Sequence, residues 1–235
     1  MSRSETLENM TNRARLIPTR VPDRPDGVVL VLHGGASRSD QMAVSPTQLS
    51  VLRMIPIASR IAHAGRGRLA VFRLLNSTRG WDTRHTPVDD VAWALDELQD
   101  RFARELPTCL VGHSLGGRAA LLAAGQRDVR SVVALAPWVY PSDGDLSLPP
   151  GRRILIVHGD QDRVASPRSS AAVAAGLRRT ADVGYIRVAG AKHAMLSHGS
   201  LFDRAASDFA TATLLGDQPR APVSAVLGGE HLVEV

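Results

Sequence analysis

Gly112-His113-Ser114-Leu115-Gly116-Gly117 is the stretch of this sequence from which the rest can be interpreted. It follows an apolar, strand-like run at 108–111 and opens an alanine- and leucine-rich helical run at 118–124. A serine at such a strand-to-helix corner has a strained backbone, and small neighbours let the turn close. The corner lifts the Ser114 hydroxyl clear of the sheet, beside N–H groups at a helix start that can stabilise an oxyanion. Ser114 is therefore a candidate nucleophile.

Apolar strand-like runs alternate with helical periodicity along most of the 235 residues. The predicted strands are 14–20, 27–32, 68–75, 108–113, 129–136, 152–158 and 183–188, and the predicted helices are 48–64, 88–105, 115–126, 167–180 and 197–214. Strands rich in valine and leucine, without polar alternation, indicate a sheet that is covered on both faces. We therefore expect an α/β fold with an open, doubly wound, mostly parallel sheet, whose ligands bind at the carboxyl ends of the strands.

The length and composition predict one such domain over residues 1–215, because hydrophobic residues make up 44% of the chain and suffice for a sizeable core. The tail at 216–235 contains prolines and glycines and has no clear helical period. We interpret it as an appended arm that is either disordered or packed on the surface. Its short apolar pieces, 223–227 and 232–235, are candidates for contact with a second copy in a homodimer.

Two loops after later strands supply partners for Ser114. The loop after the strand at 152–158 carries Asp160 and Asp162, and His193 follows the last predicted strand. The order Ser…Asp…His, each beyond the end of a different parallel strand, brings the three side chains to one rim. A serine hydroxyl needs a neighbouring imidazole to remove its proton, and the imidazole needs a carboxylate that fixes its tautomer.

The choice of acid and base leaves one rival for each role. Asp162 is favoured as the acid because it lies deeper in its loop, whereas Asp160 is better suited to shaping the turn. His193 is favoured as the base because it stands at the start of its loop, with His198 five residues further on as the rival.

Four motifs together resemble the α/β-hydrolase superfamily, and they span most of the chain. They are His33-Gly34-Gly35 after the first core strand, the hexapeptide at the corner, His158-Gly159-Asp160-Gln161-Asp162, and Gly190-Ala191-Lys192-His193. In that family the residue after His-Gly in the first motif lends a backbone N–H to the oxyanion hole. The resemblance implies this role for Gly35, with Leu115 as the second donor, and it also supports Asp162 over Asp160.

The stretch 138–151, between two predicted strands, is too short for the helical cap domain of many relatives. The chain therefore resembles the small lidless serine esterases and the dienelactone-hydrolase-like group, although members of that group often carry cysteine at the corner where this chain has Ser114. Trp81, Trp138 and Met195 fall in loops at the predicted rim. They are candidate substrate-binding residues, and loop packing is the alternative for each.

Composition excludes several other classes of function. The net charge of +5 comes from scattered arginines without a nucleic-acid-reading module, so no nucleic-acid partner is expected. No apolar run approaches the roughly 20 residues needed to cross a bilayer, and 1–16 lacks the apolar core of a signal peptide. These features predict a cytoplasmic protein without a membrane partner. Cys109, the single cysteine, is expected to be a packed core thiol.

Three further histidines, His33, His113 and His158, stand at strand ends within the motifs. They are not spaced as a zinc site, and we expect them to form structural hydrogen bonds at the rim. The sequence predicts neither a metal nor a cofactor.

The predicted function is a serine hydrolase that cleaves a small carboxylic ester or thioester through an acyl-enzyme on Ser114. Two alternatives remain open from the sequence. One is acyl transfer to a nucleophile other than water, and the other is a binding or regulatory protein that keeps the scaffold with little turnover.

Overall fold

The computed structural model describes residues 14–35, 44–82 and 84–235. In these ranges an eight-stranded sheet is flanked by helices on both faces. The strands are β1 (Arg15–Arg20), β2 (Gly27–Leu32), β3 (Leu69–Leu75), β4 (Thr108–His113), β5 (Val129–Leu135), β6 (Arg153–Gly159), β7 (Asp182–Val188) and β8 (Leu232–Glu234). The helices are α1 (Leu49–Leu52), α2 (Met54–Ala64), α3 (Thr86–Phe102), α4 (Leu115–Leu122), α5 (Pro167–Leu177), α6 (Gly199–Leu215) and α7 (Val223–Leu227), with 3-10 turns at Ala123–Gly125 and Pro141–Asp145.

The strand order is β1-β3-β2-β4-β5-β6-β7-β8. β1 is antiparallel to β3, and every other neighbouring pair is parallel. Strand β2 shows why the core strands lack polar residues: Leu30 and Leu32 face the cluster under α3, α4 and α5, whereas Val29 and Val31 face the cluster under α2 and α6. Because successive side chains point to opposite faces, a strand covered on both sides must be apolar throughout. The predicted doubly wound, mostly parallel sheet is confirmed.

Two regions differ from the sequence prediction in detail. The helix predicted at 48–64 is divided into α1 and α2, because Pro56 has no N–H to donate to the carbonyl four residues earlier. The tail at 216–235 forms α7 and β8, and β8 extends the sheet by pairing with β7. Val223 and Val226 of α7 are buried in the core, so these apolar residues cover their own domain. Residues 1–13, most of the segment that is predicted to lack the apolar core of a signal peptide, lie outside the described residues.

The connection from β5 to β6 determines how open the rim is. It contains only the 3-10 turn Pro141–Asp145 and extended chain, so no cap domain covers the carboxyl ends of the strands there. Among the described helices, none is both long enough and apolar enough to span a bilayer.

Candidate active site

The corner between β4 and α4 holds Ser114 in a strained conformation, with φ 56° and ψ −118°. Its N–H donates to the Leu135 carbonyl at 3.0 Å, and its own carbonyl accepts from the Trp138 N–H at 3.1 Å. The corner tolerates no side chain at its flanks: a β-carbon on Gly112 would lie 2.1 Å from the Gly116 carbonyl oxygen. The sequence therefore folds here as the motif predicts, and the strained backbone is held by hydrogen bonds to the end of β5 and to the loop that follows it.

Ser114, His193 and Asp162 meet at the rim although they lie far apart in the sequence. The Ser114 Oγ is 3.0 Å from His193 Nε2, and His193 Nδ1 is 2.7 Å from Asp162 Oδ2. The His193 side chain is 16% exposed and that of Asp162 is fully buried. Both contacts are within hydrogen-bond range, so the imidazole can accept the hydroxyl proton while the carboxylate holds its opposite nitrogen.

Asp162 is held as a carboxylate by four donors. Burial by itself raises the pKa of Asp162, but hydrogen bonds from His158, His193 and two backbone N–H groups outweigh it and keep the pKa well below its usual range. The backbone donors are Val164 at 2.8 Å and Ala165 at 2.9 Å, both to Oδ1. A carboxylate accepts only, so His193 Nδ1 carries a hydrogen and Nε2 is free to accept from Ser114.

The two rival residues have other partners. Asp160 is exposed, and its Oδ1 accepts the Gly190 N–H at 2.7 Å, which joins the loops after β6 and β7. His198 precedes α6, and its Nδ1 lies 2.9 Å from the Ser197 hydroxyl. The structure thus brings together the favoured set of three residues.

His113 and His33 are buried around the corner. His113 Nε2 donates to the His193 carbonyl at 3.0 Å, and burial, together with the nearby His193, lowers the pKa of His113 to about 3. His33 Nδ1 donates to the Gly34 carbonyl at 2.6 Å, while its Nε2 accepts the Asn76 N–H at 3.1 Å. Burial lowers the pKa of His33 as well. Both imidazoles are neutral supports of the loops that surround Ser114.

The residues predicted to form an oxyanion hole lie at the corner. Leu115 begins α4, and the first N–H groups of a helix have no acceptor within it. The loop after β2 lies against the same corner, because a β-carbon on Gly34 would be 3.2 Å from the Ser114 β-carbon. Gly35 follows directly, and the role of Gly35 and Leu115 as donors stays a prediction.

An arginine–aromatic cluster, which the sequence analysis missed, stands beside the corner. Arg118, one turn into α4, is buried and forms a bidentate ion pair with Asp143, with Nε–Oδ2 at 2.8 Å and Nη2–Oδ1 at 3.0 Å. Its guanidinium carbon is 4.3 Å from the Trp81 ring centroid, 4.7 Å from that of Tyr140 and 5.9 Å from that of Trp138. An arginine inside an otherwise apolar helix was the only sequence signal for it.

The three predicted substrate-binding residues have different environments. Trp81 and Trp138 are half-buried parts of the arginine–aromatic cluster, and their role in substrate binding stays a prediction. Met195, with φ 57°, is only 4% exposed and packs in the apolar cluster under α2 and α6. Its side chain therefore packs in the core, which agrees with the alternative of loop packing, and a role for Met195 in substrate binding stays a prediction.

Metal ligation and thiol chemistry find no support in the parts of the chain that the structure describes. There, no group of three or more His, Cys, Asp or Glu side chains is arranged to hold a metal ion. Cys109 is fully buried in β4, and burial raises the pKa of its thiol to about 12.

Comparison with known proteins places this site in a family. A family model described as serine aminopeptidase, S33, matches residues 23–154, which include Ser114 and the loop after β2. The chain belongs to this family of α/β serine hydrolases. The match ends before Asp162 and His193, so the position of these two residues rests on the geometry given above. No curated protein matches the sequence.

Solved structures of low sequence identity share the fold. A lidless α/β serine hydrolase from Xanthomonas campestris is 17% identical with a TM-score of 0.63, over 88% of this chain and 90% of that one. Est1E from Butyrivibrio proteoclasticus is 17% identical with a TM-score of 0.61, over 83% and 91%. A putative α/β hydrolase from Agrobacterium tumefaciens is 19% identical with a TM-score of 0.63, over 89% and 94%. At these identities the likeness shows the α/β-hydrolase fold and leaves the substrate open.

Proposed function

We propose that this α/β serine hydrolase cleaves a small carboxylic ester or thioester through an acyl-enzyme on Ser114. The observation that carries the proposal is the unbroken contact from the Ser114 hydroxyl through the His193 imidazole to the buried Asp162 carboxylate, with distances of 3.0 Å and 2.7 Å. A nucleophile, its base and the group that orients the base are thus within hydrogen-bond reach in one arrangement.

The proposed reaction has two halves. His193 Nε2 takes the proton of Ser114 as its Oγ attacks the acyl carbon, and the oxyanion is held by the N–H groups of Gly35 and Leu115. The imidazolium, stabilised by Asp162, then gives the proton to the departing alcohol or thiol. The acyl group remains bound to Ser114 as the acyl-enzyme. Water, deprotonated by the same imidazole, attacks the acyl carbon and releases the acid and the free serine.

Two observations favour an ester over a peptide. The short β5–β6 connection, which the structure describes in full, forms no cap over the rim, so this side of the site suits substrates that need little enclosure. An aminopeptidase must also pair the substrate's terminal ammonium with a carboxylate, whereas the buried carboxylates described near the corner are engaged within the protein: Asp90 accepts from Ser77, and Asp143 pairs with Arg118. Among the similar structures, one is an arylesterase and one a monoacylglycerol lipase, although a puromycin-hydrolyzing peptidase also shares the fold.

The experiment compares nitrophenyl esters of increasing acyl length with amino-acid nitroanilides on the purified protein. We expect ester turnover that exceeds anilide turnover, and a loss on the order of 10⁶-fold in kcat for Ser114→Ala. Ser224→Ala in α7 is the matched control, because Ser224 is exposed and far along the chain from the corner. A fluorophosphonate probe should label wild type and S224A but not S114A. Full esterase activity in S114A contradicts the mechanism, and faster anilide cleavage contradicts the substrate class.

A further inference from the structure

His158 is a buried histidine that the serine–histidine–aspartate mechanism does not use. It is the next-to-last residue of β6, and its side chain is fully buried. Its Nε2 lies 3.1 Å from Asp162 Oδ2, the same oxygen that lies 2.7 Å from His193 Nδ1. One carboxylate oxygen is therefore shared by two imidazoles, of which only one faces Ser114.

The hydrogen bonds fix which nitrogen of His158 carries the hydrogen toward Asp162. A bare Nε2 would place a lone pair against the carboxylate, so Nε2 must be the donor. On the other side of the ring, Nδ1 lies 2.7 Å from the Ser170 hydroxyl oxygen. Ser170 Oγ is also 3.0 Å from Tyr185 Oη and 3.0 Å from the Pro167 carbonyl. Every polar atom of this chain of groups has a partner, and the arrangement holds the ring in place.

We propose that His158 is a positioning residue of the hydrolytic site, which holds the Asp162 carboxylate in register with His193 and is itself held by Ser170. The inference rests on the proposed function of the same site. Oδ1 of Asp162 is fixed by the N–H groups of Val164 and Ala165, and Oδ2 is fixed by His158. The carboxylate is thus already oriented before His193 becomes charged, and no reorganisation is needed when the imidazolium forms.

Sharing the oxygen has a second consequence, which a merely structural histidine would not have. His158 and His193 contact the same oxygen, so removal of the His158 donor removes a contact that keeps Oδ2 beside His193 Nδ1. A carboxylate that is free to turn orients the imidazole less well, which should lower kcat while KM changes little.

The test compares two substitutions of His158 by fluorophosphonate labelling of Ser114 and by the kcat and KM of ester turnover. His158→Leu removes the donor, whereas His158→Gln can place an amide N–H near the position of Nε2. For H158L we expect a loss of about 10²-fold in kcat and in the labelling rate, the size associated with a small misplacement of catalytic groups. We also expect little change in KM, which separates a loss of positioning from a loss of substrate binding. H158Q should recover most of the rate.

A second pair of variants keeps the test decisive if H158L does not fold. Ser170→Ala removes the support of Nδ1 and leaves Asp162 untouched. Ser207→Ala is its matched control, because Ser207 is also buried and its hydroxyl donates to a carbonyl of its own helix, that of Arg204, at 3.0 Å. S170A should lower kcat and the labelling rate with little change in KM, as H158L does, while S207A should change none of these. A folded H158L or S170A with the wild-type rate overturns the proposal. Absence of Ser114 labelling in the wild type would instead count against the proposed function.

Discussion

Asp162 and Asp143 are both buried carboxylates in loops that follow the neighbouring strands β6 and β5, yet their partners differ in kind. Asp143 is paired with Arg118, whose charge is permanent, and the pair is surrounded by aromatic rings. Asp162 accepts hydrogen bonds from His158, His193 and two backbone N–H groups, none of which needs to carry a charge. A carboxylate with a permanently charged partner makes the same ion pair before and during the reaction. A carboxylate whose partner becomes charged only during the reaction interacts most strongly with it in the transition state, and so lowers the barrier.

The difference indicates separate tasks at the two sides of the corner. The Asp143 pair ties the β5–β6 loop to α4, and its Arg118 contacts the Trp81 and Trp138 rings. The Asp162 loop instead provides the groups that move a proton. We therefore expect substitutions on the Asp162 side to affect the rate more than the stability, and substitutions on the Asp143 side to do the reverse.

The largest effect is expected from Asp162→Asn. An amide in place of the carboxylate can donate to His193 Nδ1, which selects the tautomer that cannot accept the Ser114 proton, so kcat should fall by about 10⁴-fold. The urea concentration at the midpoint of unfolding should change little, because the substitution keeps the shape of the side chain. Asp160→Asn is the matched control, because Asp160 is exposed and an asparagine oxygen can still accept the Gly190 N–H. An equally large loss in D160N, with D162N unaffected, would reverse the assignment of the acid.

The next largest effect is expected from Asp143→Asn, and it should appear in stability. The substitution leaves the buried Arg118 guanidinium without its countercharge, which should lower the free energy of unfolding by about 3–5 kcal/mol. Urea denaturation measures this loss, and kcat per folded molecule should change much less than in D162N. The double variant Arg118→Met, Asp143→Leu removes both charges and should be more stable than D143N alone. Wild-type stability in D143N would show that the pair contributes nothing.

Much of this contrast could not be predicted from the sequence. The apolar runs predicted the core strands, and the order of Ser114, Asp162 and His193 predicted their meeting at one rim, because parallel strands with helical crossovers end at the same edge. The arginine–aromatic cluster escaped prediction because its members come from three separate segments, so no local pattern records their contact. Strand β8 was not predicted, because a segment of three residues after a glycine-rich turn is too short to show a periodic pattern. The burial of Met195 also escaped prediction, because it packs against α2 and α6, of which α2 is distant in the sequence.

The smallest expected effect is on the pH dependence of the free energy of unfolding. Histidines on the Asp162 side can gain charge in mild acid, whereas Arg118 on the Asp143 side is always charged. His113 supports the His193 loop as a neutral imidazole with a pKa of about 3, below the ordinary value of about 6.5 that it regains on unfolding. Between these values the unfolded chain binds more protons than the folded one, so stability falls as the pH is lowered. His113→Gln keeps a donor for the His193 carbonyl and removes the titration. Between pH 7 and pH 5 it should lose about 2 kcal/mol less than the wild type, measured by urea denaturation. If the free energy of unfolding of wild type and H113Q fell equally with pH, His113 would gain its proton in the folded protein and the prediction would be wrong. D143N is the control, and its free energy of unfolding should depend on pH as that of the wild type does.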